Sequence, residues 1–154
     1  MPLQTAVKTV IAAAVAGDKA TADQSIYTPL NHLAGEGGAT VGTFGWIQAD
    51  GTVIDTGSTA PSGFVERVIV YPNYTVTSAG TLLIPEGFPV TLAVKGDYWV
   101  KTTQKCTVGG QVYVNQTTGA IEATNSSGTN VAATGWLFKM AGEANDMVII
   151  SNWS

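Results

Sequence analysis

The chain has 154 residues and a net charge of −4, with charged side chains at 12% of positions and hydrophobic ones at 45%. This excludes a disordered chain, which needs low hydrophobicity and high net charge, and a helical bundle, which needs abundant Glu, Lys, Arg and Leu. Seven basic residues on an acidic chain give no clustered positive surface for phosphates, so nucleic acid is not an expected partner.

Residues 1–34 are rich in Ala, Thr, Asp and Gln and hold a single aromatic residue, Tyr27. Val7, Val10, Ile11, Ala14 and Val15 fit one helical face, whereas the branched side chains of Val7–Ile11 favour a strand. Gly17-Asp18 would stop either one. The region is therefore expected to be an extended arm, with or without one short helix. Its large apolar residues, Val7, Val10, Ile11, Val15, Ile26, Tyr27, Leu30 and Leu33, are too few to make a core and are expected to be covered by a neighbouring chain. Lys8 ahead of Val10–Ala16 resembles a short secretory leader, but one basic residue and so short an apolar run argue against it. No apolar run approaches the roughly 20 residues of a membrane-spanning helix, so a membrane is not an expected partner either.

Residues 35–154 read as one all-β domain, a β-sandwich or β-barrel. Val41–Ile47 alternates bulky and small residues, Asp50-Gly51 supplies a tight turn, and Thr52–Ile54 returns. A loop over Thr56–Ser62 precedes a strand at Phe64–Tyr71. Further strands are expected at Thr81–Ile84, Val90–Val94 and Tyr98–Lys101, with Pro85–Pro89 a turn between the first two. Gln111–Asn115 and Gly119–Ala123 form a hairpin about Gln116–Thr118, and Val131–Lys139 and Asp146–Ser151 complete the set. Eight to ten short strands with turn signals every eight to twelve residues are the pattern of these folds. Trp46, Trp99, Trp136 and Trp153 are the expected bulk of the core.

Residues able to carry chemistry are few. His32 is the single histidine and Cys106 the single cysteine, so no intrachain disulfide is possible and a reducing compartment is expected. His32 has no nucleophile motif nearby and reads as a hydrogen-bonded or exposed arm residue. Lys105 beside Cys106 could lower the thiol pKa, but without a histidine near in sequence the thiol reads as structural. Gly35-Glu36-Gly37-Gly38 resembles half a dinucleotide loop, yet a strand follows where a helix is needed, so it reads as a turn. Asp50 and Asp55 flank one hairpin and Asp97 precedes Tyr98-Trp99, each reading as a turn or strand-end residue rather than a catalytic pair. Glycosylation-like triplets at Asn73, Asn115, Asn125 and Asn152 arise by chance in so Thr- and Ser-rich a chain. No catalytic residue, cofactor or metal is expected.

Several segments in order carry a resemblance. Leu33-Ala34-Gly35-Glu36-Gly37-Gly38 leads to Val41-Gly42-Thr43-Phe44-Gly45-Trp46, then Ala60-Pro61-Ser62-Gly63-Phe64-Val65-Glu66-Arg67. Ile84-Pro85-Glu86-Gly87-Phe88-Pro89, Gly96-Asp97-Tyr98-Trp99-Val100-Lys101 and Ile149-Ile150-Ser151-Asn152-Trp153 follow. This order resembles the structural cement, or head-decoration, proteins of tailed bacteriophages. The resemblance implies a non-enzymatic virion protein on the outer face of a capsid that clamps major capsid protein subunits. A departure lies at Thr5–Ala16, Ala-rich here where the family has a Pro-containing arm. A dimer or trimer is expected from the local axes of such a shell. The rival expectation is a carbohydrate- or receptor-binding module of a phage tail or fibre, using exposed faces among Trp46, Tyr71, Tyr74, Tyr98 and Trp99.

Overall fold

The structure, a computed structural model, describes residues 14–68, 82–125 and 130–153. Val7, Val10 and Ile11 of the arm, and Tyr71 and Tyr74, lie outside the described residues, as does the end of the strand expected at Phe64–Tyr71.

Fourteen strands follow one another among the described residues: β1 (Ile26–Tyr27), β2 (His32–Leu33), β3 (Ala39–Thr40), β4 (Phe44–Ile47), β5 (Val53–Ile54), β6 (Gly63–Val65), β7 (Leu83–Ile84), β8 (Pro89–Val90), β9 (Leu92–Lys95), β10 (Asp97–Lys101), β11 (Gln111–Asn115), β12 (Ile121–Glu122), β13 (Val131–Phe138) and β14 (Met147–Ser151). A first sheet has the order β1-β9-β6-β4-β5 and a second the order β10-β14-β13-β11-β12. Two small sheets, β2-β8 and β3-β7, complete the architecture. Every ladder is antiparallel. The fold is all-β and is a sandwich.

Strand alternation explains the layers. In the first sheet Phe44, Trp46, Phe64 and Ala93 face the second sheet, meeting Tyr98, Val100, Val112, Val114, Trp136, Phe138, Val148 and Ile150 in one core. Phe64 packs on Tyr98 at 4.9 Å between ring centroids, and Phe44 meets Trp136 edge-on at 5.9 Å. The intervening residues Val65, Leu92 and Val53 face the other way, into a second core with Ala34, Ala39, Val41, Ile84 and Val90 from the small sheets. The first sheet is thus covered on both faces, which is why its strands carry apolar residues at consecutive positions. Of the four tryptophans, Trp46 and Trp136 are core residues, Trp99 is half-buried, and Trp153 is 45% exposed, so only two supply the bulk expected of all four.

Two expected strands differ from expectation within the described residues, for physical reasons. Val90–Val94 divides at Thr91, because Val90 pairs with His32 in a small sheet while Leu92 enters the ladder with β6. The strand beginning near Phe64 leaves its ladder after Val65, where Arg67 N–H donates to Gly17 O at 3.0 Å. The crossing from first to second sheet takes a single residue, Gly96, between β9 and β10. Its φ of 153° and the Ser25 Oγ and Tyr98 ring 2.7 Å from where a Cβ would stand leave room for no side chain.

Candidate contact surface

The residues able to carry chemistry are each occupied by the fold. His32 is 4% exposed, and its Nδ1 lies 2.9 Å from Gly51 O, which matches a hydrogen-bonded histidine. Cys106 is buried, and that burial pushes its thiol up; Lys105, which the sequence suggested would lower it, instead pairs with Glu143 at 2.7 Å. Gly35–Gly38 is a turn, closed by Gly38 N–H donating to Gly35 O at 2.9 Å and followed by β3. Asp50 Oδ1 accepts from Thr52 N–H at 2.9 Å and Thr52 Oγ1 at 2.7 Å, holding its carboxyl below the usual carboxylate range. Asp55 accepts from Thr40 N–H at 2.7 Å and Thr40 Oγ1 at 2.5 Å, yet its burial pushes the carboxyl up overall. Asp97 accepts from Thr21 Oγ1 at 3.1 Å. Among the described residues, no three His, Cys, Asp or Glu side chains are grouped to hold a metal ion.

A cleft of about 580 Å³ lies between Trp46–Gln48, Ile54, the 56–59 loop and the Gln116-Thr117 turn, and no ionisable side chain lines it. Trp46 closes it from below with its indole buried and Nε1 donating to Thr59 O at 2.9 Å. Tyr98 is likewise fully buried, so neither ring offers a face for a sugar to stack on.

The charges gather elsewhere. Residues 17–20 run antiparallel along the outer edge of β10, with Gly17 N–H donating to Trp99 O at 2.8 Å, Trp99 N–H to Asp18 O at 2.9 Å and Ala20 N–H to Asp97 O at 2.8 Å. Arg67 Nη1 donates to Asp18 Oδ1 at 2.8 Å, and Lys19 Nζ lies 3.9 Å from Glu66 Oε1. The buried Tyr98 hydroxyl lies 2.6 Å from Glu66 Oε2 and 2.7 Å from Ser25 Oγ. A phenol has one proton, so Tyr98 donates to the carboxylate and accepts from Ser25. Burial, then the Glu66 hydrogen bond, push the phenol far above its ordinary range. Lys19 is held above its ordinary range chiefly by the Tyr27 hydroxyl, with Glu66 adding to it. This latch was missed in the sequence. Its signal was two adjacent acid–base pairs, Asp18-Lys19 and Glu66-Arg67, in a chain with only 18 charged residues.

The latch fixes the part of the arm that carries the expected contact residues. Val15 is 39% exposed, Ile26 50%, Tyr27 37%, Leu30 69% and Leu33 48%. Leu33 stands opposite Pro89, beside the exposed Phe88. The segment is tied to its own domain by backbone and charge, while its large apolar side chains point to solvent.

The family model described as XM1 gp53 minor capsid protein matches residues 4–152. Among solved structures, a chain of the structure titled "The capsid of Myoviridae Phage XM1" is similar, with a TM-score of 0.72 and 14% identity over 99% of this chain and 98% of that one. At that identity the likeness is one of fold. No curated protein sequence matches.

Proposed function

The chain belongs to the XM1 gp53 minor capsid protein family, and on that premise we propose that it is a decoration protein which binds the outer surface of a phage head and stabilises contacts between major capsid protein subunits. The observation that carries this reading is the exposure of the apolar side chains Val15, Ile26, Tyr27, Leu30 and Leu33 on a segment pinned by Asp18–Arg67. Leaving such side chains in water forgoes roughly 1.5–3 kcal/mol for each large one fully buried. A protein that binds only the assembled shell stabilises that state by mass action against the pressure of packaged DNA. On this reading the chain is non-enzymatic, is made in the bacterial cytoplasm, and sits on the head as a dimer or trimer. Val7, Val10 and Ile11 extend the same contact.

Quantifying the chain in purified particles is the direct test. A decoration protein is present at high copy number on heads, and heads lacking it break at lower temperature. A few copies found only on tails would overturn the reading.

A further inference from the structure

The charges of the chain are segregated. No Lys or Arg occurs from residue 20 to residue 66 or from residue 68 to residue 94. Strands β2 to β8 fall within these stretches. They and their turns carry Glu36, Asp50, Asp55 and Glu86. The seven other carboxylates of the chain are matched by its seven Lys and Arg, so these four account for its whole formal net charge of −4. Glu36, Asp50 and Glu86 are exposed, and none has a cation partner among the described residues.

The layers keep the cations away. The small sheets pack on the face of the first sheet turned away from the second. The first sheet thus stands between them and Lys101 and Lys139, which lie in and beside the second sheet. Lys19 and Arg67 belong to the latch, and Lys95 stands opposite Ile26 at the far end of β9.

The acidic layer also carries exposed apolar side chains. Leu30, Leu33 and Asp50 line one cleft of about 260 Å³, and Asp50 and Glu36 line the next, of about 320 Å³. His32 lines the first cleft too, but it is buried with its Nδ1 at Gly51 O. Glu86 precedes Gly87, whose N–H donates to Ala34 O at 2.9 Å, next to Leu33. Phe88 follows, 41% exposed. Exposed apolar groups with charges of one sign around them match the centre and rim of a protein interface. The sign turns away phosphate backbones and anionic lipid, and it favours a surface bearing Lys and Arg.

We propose that this layer docks on a basic protein surface of the phage head, burying Leu30, Leu33 and Phe88 and setting Glu36, Asp50 and Glu86 against Lys or Arg of that surface. The proposal rests on the capsid reading and names the chemistry of the surface that meets this part of the arm. The same layer of a second copy is a poor occupant, because a two-fold contact through it would bring like carboxylates together.

The test uses the full chain and heads purified without it. The wild type should bind these heads with an affinity that falls as salt rises. Glu36→Lys with Glu86→Lys should weaken binding at low salt by about tenfold or more, mainly through slower association, and Glu36→Asp with Glu86→Asp should keep most of it. Both positions are exposed turn residues, so the thermal midpoint of the free protein should not move. Glu143→Lys places a reversed charge on the second-sheet side and should leave binding within about twofold of the wild type. If the wild type binds and the Glu36→Lys, Glu86→Lys variant binds equally well, the docking proposal falls while the capsid reading stands. It falls in the same way if Glu143→Lys weakens binding as much as Glu36→Lys alone, since overall charge would then be the cause. If the wild type does not bind at all, both fall. A change in the mass of the free protein on sedimentation, caused by the Lys substitutions at 36 and 86, would make the layer a contact between copies and overturn the proposal.

Discussion

Asp18 and Arg67, 49 positions apart in the chain, meet at 2.8 Å and join the arm to the end of β6. Both side chains keep about a third of their surface in water, so solvent screens the pair. Asp18→Asn should lower global stability by only about 1 kcal/mol or less. The local effect should be larger. Amide exchange at Gly17 and Ala20, which bond Trp99 and Asp97, should speed up in the variant and, in the wild type, with added salt.

Removing the hydroxyl at Tyr98 leaves Glu66 and Ser25 short of a partner in a buried setting. Tyr98→Phe should cost about 1–3 kcal/mol, readable as a drop in thermal midpoint. The phenol is raised in the folded state, so the folded protein holds this proton where the unfolded chain releases it. The contribution is full below about pH 10, the ordinary tyrosine value, and is lost as pH rises beyond it. Alkaline unfolding should therefore be less steep in Tyr98→Phe, as denaturant midpoints between pH 9 and pH 11 would register.

Asp55 gives a second pH dependence with the same sign at the acid end. Its folded carboxyl is raised from 3.8 by burial. Stability should fall as pH rises from that value through the folded pKa, then level off. Asp55→Asn removes the titration and keeps an acceptor for the Thr40 N–H. Its stability relative to wild type should improve on going from pH 4 to pH 7, measured by urea midpoints at several pH values.

Gly96→Ala should be strongly destabilising. The substitution meets both a left-handed-side φ of 153° and the Ser25 Oγ and Tyr98 ring at 2.7 Å. A loss of about 2 kcal/mol or more is expected. Gly51→Ala, at a φ of 85° in an open hairpin turn, should cost about 1 kcal/mol.

Leu30→Ser with Leu33→Ser tests the arm surface. Both residues are exposed, so the stability of the free protein should change by about 0.5 kcal/mol or less. Binding to heads should weaken by much more. Equal binding would remove these residues from the contact.

The long alternating strands were legible because five or more residues give a period-two pattern, as in Asp97–Lys101 and Gln111–Asn115. The Asp50-Gly51 turn was legible from its turn chemistry alone. The pairs β2-β8 and β3-β7 were not, since a two-residue strand has no period to read. Nor was the intrachain docking of residues 17–20, which depends on Arg67 and Tyr98 arriving from different sheets. Buried His32 looked like an arm residue because its partner, Gly51 O, belongs to a hairpin 19 positions away.

The docking of that segment has a consequence for biosynthesis. Residues 17–28 are translated well before Glu66, Arg67, Leu92 and Asp97–Trp99, to which they are tied. None of these can receive them until both sheets have begun to assemble. Loop closure over so many residues is slow and is rewarded only late. The strap is therefore made before the residues that fasten it, and until they arrive its apolar side chains stay available to chaperones.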